Sequence, residues 1–213
     1  MSKNSQSQTF VAGNFEDKYT AKNPISKFLM GRFLQTFESL LIDVKSRRNI
    51  KTICEVGCGE GELLKILHRH FPQAKLFACD LSQQEINKAK KVTKNIPVQF
   101  SVQNAEHLDE YKNNQFDLVI CCEVLEHLDH PGTGLQQISR ISTEQIVSVP
   151  VEPLWRVLNL LRFKYVPALG NTPGHLNHWS VASFQNLVRK HRITIQQSKN
   201  PLPWQMYLLE TKS

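Results

Sequence analysis

Apolar and polar positions along the chain follow two different periods. Along ISKFLMGRFLQTFESLL the apolar residues recur at helical spacing. Leu29, Phe33 and Phe37 stand at i, i+4 and i+8, with Met30, Leu34 and Leu41 beside them. This spacing predicts an amphipathic helix lying on a core. Asn23-Pro24 offers a cap and a proline suited to the first helical position, and the basic KSRRN closes the segment. From Ile50 onward, short apolar runs alternate with helical segments. KTICEV, KLFACD, PVQFSV, FDLVICC, EQIVSVP, ITIQQS and WQMYLLET read as strands. GELLKILHRHF, SQQEINKAKKVTK, GLQQISRI and SVASFQNLVRKH read as helices. Such alternation predicts βαβ units around a parallel sheet with right-handed crossovers. FDLVICC is apolar almost throughout, as a strand covered on both faces would be. The KNPLP link is too short to hold a helix, so the last two strands are expected to be antiparallel neighbours.

Residues 1–22 are polar and aperiodic and read as a flexible arm, leaving 23–213 as a single domain. Residues 151–179 interrupt the alternation and read as an insertion. Within it Leu154, Val157, Leu158 and Leu161 form a helical stripe, surrounded by Trp155, Arg156, Arg162, Phe163, Lys164 and Tyr165.

The length of 213 residues suits one domain with a core that needs no staples. The formal charge of +7 favours an anionic partner only mildly, because the basic residues are dispersed. The five cysteines lack CxxC spacing, so reduced, buried thiols are expected. MSKNSQSQTF lacks the apolar core of a signal peptide, and no stretch approaches the ~20 apolar residues of a spanning helix. These features predict a cytoplasmic protein, with contact to a membrane surface left open.

ICEVGCGEGELL is the most informative stretch. A strand runs into Gly57, Gly59 and Gly61, and a helix follows at once. Glycines at such a turn permit unusual backbone angles and let a ligand approach the main chain. The next strand ends at Asp80, placed to hold the two hydroxyls of a ribose. Glu55 stands two residues before the first glycine. Its carboxylate suits a cofactor with an ammonium group and would repel a pyrophosphate, which favours S-adenosylmethionine over NAD.

EVGCGEG, CDLS and FDLVICCEVLEHL resemble the successive motifs of class I S-adenosylmethionine-dependent methyltransferases, and the resemblance covers roughly residues 53–150. It implies a Rossmann-like, doubly wound α/β fold: a seven-stranded, mostly parallel sheet with the last strand antiparallel. It also implies site roles. Glu55 and Gly57 would line the methionine part of the cofactor, with Gly59 and Gly61 shaping the turn. Asp80 would hold the ribose, and Leu81 would pack near the adenine. Asn104 and Ala105 fall where the family contacts the adenine amino group, although the family usually has an acid at the first of them. Cys122 and Glu123 would lie beneath the reactive methyl. Additions after the fifth strand commonly form a lid in this fold, which gives residues 151–179 that role.

CCEVLEHLDHPG places Glu123, Glu126 and His127 at i, i+3 and i+4. If helical, the stretch could present three metal ligands on one face. Equally, the acids could favour a helix start while His127 serves as a polar group of the cleft. A metal site would need more donors, and TPGHLNHWS supplies His175 and His178. Ubiquinone-pathway O-methyltransferases and small-RNA 2′-O-methyltransferases carry similar Glu-x-x-Glu-His segments. Two readings therefore stand: Glu123, Glu126, His127 and His175 around Mg²⁺ or Mn²⁺, or a metal-free cleft with His127 or His175 as general base. An apolar and basic lid suits a small or lipid-like acceptor and O-methylation, with a membrane-interface role for residues 154–165 as an extension. The competing expectations are an RNA 2′-O-methyltransferase and a non-catalytic cofactor-fold domain that binds a protein partner.

Overall fold

The computed structural model describes residues 24–161, 166–172 and 174–211. The arm read at 1–22, and Arg162, Phe163, Lys164 and Tyr165 of the insertion, lie outside the described residues. The chain opens with α1 (Pro24–Arg47) and then alternates: β1 (Thr52–Val56), α2 (Glu62–His70), β2 (Lys75–Asp80), α3 (Gln83–Val92), β3 (Val98–Val102). After β4 (Leu118–Cys122) come a 3-10 turn (Leu125–His127), α4 (Pro131–Ile141) and β5 (Glu144–Pro150). The insertion holds α5 (Leu154–Leu161) and a 3-10 turn (Val166–Ala168); α6 (Val181–Lys190), β6 (Thr194–Lys199) and β7 (Trp204–Glu210) follow.

The strands form one seven-stranded sheet in the order β3-β2-β1-β4-β5-β7-β6. β1 to β5 pair in parallel, and β7 lies antiparallel between β5 and β6. This is the Rossmann-like sheet expected from the pattern. The order reverses at β1, which opens a crevice at the carboxyl ends of β1 and β4, where open α/β sheets bind ligands.

Burial explains the strand patterns. All five residues of β4 are buried. Leu118, Ile120 and Cys122 join one core with α1, α2 and α3, while Val119 and Cys121 join the other with α4 and α6. α1 buries Met30, Phe33, Phe37, Leu40, Leu41 and Val44, a stripe of the expected period. Its basic end is tied to the sheet: Arg47 and Arg48 each reach the buried Glu144 at 2.7 Å. Ser82 caps α3 and Ser180 caps α6, each accepting from the third residue on.

The insertion departs from the expected stripe. In α5 the buried residues are Trp155 and Asn159, whereas Val157 is 47% exposed. Hydrogen bonding decides the rotation of the helix. The Trp155 indole donates to Thr172 Oγ1 at 2.9 Å, and Asn159 Nδ2 donates to the Gly170 carbonyl at 2.9 Å and to Thr172 Oγ1 at 3.2 Å. Two polar groups with partners in the returning segment outweigh a purely apolar contact face.

Candidate active site

The glycine turn is held in a tight form by its own surroundings. Gly57, Gly59 and Gly61 all have positive φ, at 73°, 48° and 82°. A Cβ on Gly57 would lie 2.2 Å from Val124 Cγ2, so both the backbone angle and the space require glycine there. The Gly57 and Cys58 amides donate to the Cys79 carbonyl, which ties the turn to β2. Asp80 closes it: one carboxylate oxygen accepts from the Gly59 amide at 2.9 Å, the other from the Ser82 amide at 2.8 Å. Leu81 beside it remains 44% exposed. Asn104 Oδ1 accepts from the Glu106 amide, so the side chain shapes its own loop next to the buried Ala105.

Glu55, Gly57, Cys58, Cys122 and Glu123 line one pocket at the crevice, closed on the far side by Met30 and Phe33 of α1 and by Trp204 of β7. Glu55 is 4% exposed, and its Oε2 has no hydrogen-bond partner among the described residues. Burial raises its pKa well above the ordinary carboxyl value of 4.5, with the nearby Asp80 and Cys79 adding to the rise. A buried acid of this kind is poised for a cationic ligand group. Burial likewise raises the Cys58 and Cys122 thiols, which makes them inert walls rather than nucleophiles.

The Glu-x-x-Glu-His segment is not an α-helix. Glu123 takes φ 61° immediately after β4, and residues 125–127 make a single 3-10 turn. Its residues therefore divide. Glu123 turns toward this pocket, where its carboxylate accepts from Ser148 Oγ at 3.1 Å and from the Trp204 indole at 2.6 Å. Glu126 and His127 turn the other way, and there His175 joins them.

The three offer ligand atoms that all lie within 4.8 Å of one another. Donors sharing one ion at about 2.1 Å stand up to about 4.2 Å apart, so a small side-chain rotation brings this set to metal distance. Main-chain bonds draw the later segment in: the Leu176 and Asn177 amides donate to the Glu126 carbonyl, and Asn177 Nδ2 donates to the Leu128 carbonyl at 2.6 Å. His127 Nδ1 lies 2.9 Å from the Gly174 carbonyl. A carbonyl only accepts, so Nδ1 donates, and in the neutral ring the lone pair is on Nε2. His178 is not in the group; it pairs with Asn171 Oδ1, and burial with the nearby Arg156 lowers its pKa.

Met30, Phe33 and Trp204 are among the pocket residues that had no assigned part in the sequence. Met30 and Phe33 showed as core positions of α1, and Trp204 opened a strand without any motif. Trp204 faces Pro150 across the β5–β7 ladder, a pairing that no local spacing announces. Aromatic contacts continue from it: Phe33 to Trp204 at 5.2 Å, Trp204 to Trp155 at 5.5 Å, Trp155 to His175 at 6.2 Å, His175 to His127 at 4.9 Å.

Comparison with known proteins agrees with this fold. The family model described as a methyltransferase domain matches residues 54–145. A malonyl-[acyl-carrier protein] O-methyltransferase of Anoxybacillus flavithermus is 30% identical over 95 residues, 45% of this chain and 36% of the relative. A ubiquinone biosynthesis O-methyltransferase of Pseudomonas paraeruginosa is 28% identical over 102 residues, 47% of this chain and 43% of the relative. The chain thus spans less than half the length of each. Among solved structures, magnesium protoporphyrin IX methyltransferase from Synechocystis PCC 6803 with bound SAH superposes with a TM-score of 0.67 at 18% identity, covering 89% of this chain and 88% of that one. The methyltransferase domain of bacterial CtHen1-CN gives 0.63 at 20% identity, covering 86% and 100%. At these identities the structural likeness is one of fold.

Proposed function

We propose that this chain, a member of the class I S-adenosylmethionine-dependent methyltransferase family, moves a methyl group from S-adenosylmethionine to an oxygen of a small or lipid-like acceptor. One juxtaposition carries the reading: a buried carboxyl and a glycine turn lie over β1, and the Glu126, His127 and His175 group follows directly beyond β4. The cofactor supplies a methyl group made electrophilic by its sulfonium. Glu55 would take its ammonium and Gly57 its main chain. Asp80 would accept from the ribose hydroxyls, with Leu81 against the adenine and Asn104 and Ala105 at its amino edge. Cys122 and Glu123 would floor the reacting end. The acceptor would sit over β4, and much of the rate would come from holding oxygen and methyl in line.

Deprotonation of the acceptor has two routes, and they exclude each other for any one histidine. His127 Nε2 or His175 could accept the proton as the oxygen attacks. Alternatively Glu126, His127 and His175 would hold a Mg²⁺ or Mn²⁺ ion, whose charge lowers the pKa of a bound hydroxyl. The donor set fits such an ion. Val157, Leu160 and Leu169 remain exposed on the insertion, which supports an apolar acceptor and a peripheral contact with lipid.

The test is transfer of labelled methyl from S-adenosylmethionine to phenols and carboxylates borne on apolar chains, with and without chelator. Product with such acceptors supports the reading, and its loss in chelator supports the ion. Absence of cofactor binding by calorimetry would sink the transferase reading. Transfer only to RNA ends would move the reading to nucleic acid.

A further inference from the structure

The two histidines beyond β4 hang on one turn. The His175 amide donates to the Thr172 carbonyl at 3.1 Å, which closes a four-residue turn with the sequence Thr-Pro-Gly-His. Gly174, the third residue, takes φ 87°, the left-handed value of a type II turn. Its carbonyl accepts from His127 Nδ1 at 2.9 Å. The turn thus fixes the His127 ring through its third residue and carries His175 as its last.

The first residue of the turn is tied to the insertion. Thr172 is buried, and its hydroxyl accepts from the Trp155 indole at 2.9 Å and from Asn159 Nδ2 at 3.2 Å. α5 therefore grips the turn at its start. It also meets the turn at its end: the Trp155 indole lies at 23° to the His175 ring, with centroids 6.2 Å apart, an offset stack. His175 in turn meets His127 edge-on at 4.9 Å. Trp155 and His175 are both buried, and close packing leaves such rings little room to swing.

Resting on the acceptor reading above, in which His175 takes the proton or holds the ion, we infer that Trp155, fixed by Thr172, is a positioning residue for His175. The bond to Thr172 Oγ1 sets where the indole stands, and the indole face sets the plane of the imidazole. In that arrangement the donor atoms of Glu126, His127 and His175 lie within 4.8 Å of one another. A His175 ring without the indole face would divide its time among other rotamers, and the aligned arrangement would be populated less. The insertion thereby becomes part of the catalytic arrangement rather than a cover alone.

Two readouts on the full chain test this, and the first needs no acceptor. Imidazole proton resonances are recorded at about pH 8, where an unperturbed histidine is neutral, and those of His175 are assigned with His175→Ala. The ring current of a stacked indole should shift the His175 signals upfield in the native protein. Thr172→Val removes the shared acceptor and should return them toward the positions of exposed histidines, whereas Thr172→Ser keeps a hydroxyl and should keep them upfield. The second readout is methyl transfer from S-adenosylmethionine to a phenol on an apolar chain. Thr172→Val should lower kcat about tenfold while the KM for S-adenosylmethionine stays within about twofold. In the His175→Ala background the same change should cost less than about twofold, because the group being positioned is gone. If thermal unfolding shows that Thr172→Val does not fold, Trp155→Phe, which removes the indole N–H and keeps a ring, takes its place with about a threefold loss expected. His175 signals that stay put in Thr172→Val, or an equal loss of kcat in both backgrounds, overturn the inference and leave the transferase reading standing. Full transfer by His175→Ala sinks the acceptor reading instead. If the native protein methylates no such phenol, the resonances alone decide the positioning.

Discussion

The cofactor turn and the wall beyond β4 are one strand apart, yet they are assembled differently. Residues 55–61 build the turn from a single stretch, and Asp80 closes it from the next strand. The wall takes Glu126 and His127 from a 3-10 turn, Trp155 from the insertion, His175 from the segment that returns, and Trp204 from β7. The turn is therefore a local motif with fixed spacing, whereas the wall exists only when four distant pieces meet. The first can be recognised across a family. The second is free to change, and that is where differences in acceptor would arise.

If the turn is rigid and self-contained, damage there should be greatest and should remove cofactor binding. Gly57→Ala forces a Cβ to 2.2 Å from Val124 Cγ2 at φ 73°. It should cost about 2–4 kcal/mol of stability and lower cofactor affinity by more than about a hundredfold, read by thermal unfolding and calorimetry. If the wall serves the acceptor and not the cofactor, His175→Ala should reduce methyl transfer by about a hundredfold while cofactor affinity stays within about twofold. A comparable loss of cofactor affinity would erase the distinction. Titration with Mn²⁺ alone, compared between native protein and this variant, would show whether an ion is part of the wall.

Glu55→Gln should pull stability and binding in opposite directions. The folded pKa of Glu55 is raised, so the folded protein keeps a proton that the unfolded chain releases near 4.5. Stability without ligand therefore falls as pH climbs from there through the raised value. The glutamine variant should lose that decline and melt higher at neutral pH, yet bind the cofactor about tenfold less tightly. In the native protein a cation favours the ionised carboxyl, so S-adenosylmethionine affinity should rise with pH over the same window, with a proton released on binding.

Smaller effects should mark the insertion. Thr172→Val removes the acceptor shared by Trp155 and Asn159 and should cost about 1–3 kcal/mol. Cofactor affinity should change little, because these groups lie beyond the pocket. At the low end, Leu160→Ser on the exposed side of α5 should leave stability within about 0.5 kcal/mol. A clear loss of binding to lipid vesicles in that variant would tie this face to a membrane surface, and unchanged binding would remove it from the account.

Much of this architecture was legible in the chain. Period and length separated strands from helices most clearly where both faces are buried, as in β4, where alternate residues enter opposite cores. The short KNPLP link was enough to require an antiparallel ending. The spacing of Glu55, the three glycines and Asp80 pointed to a nucleoside cofactor, because a tight turn leaves few residue choices. The i, i+3, i+4 pattern of Glu123, Glu126 and His127 misled as geometry: it implies one face only in an α-helix, and the left-handed Glu123 ends that possibility. The stripe of α5 misled for another reason. Two polar side chains found partners in Gly170 and Thr172 and turned the helix toward them.

What the sequence determined, then, is whatever depends on neighbours along the chain: the alternation of elements, the glycine turn and the acid after it. Tertiary structure alone decided that Glu123 turns away from Glu126, that His175 folds back over His127, and that Trp204 walls the pocket beside Glu55 and Gly57. Those contacts depend on strand order and on main-chain bonds between segments far apart in sequence. Such bonds leave no spacing in the sequence to be read.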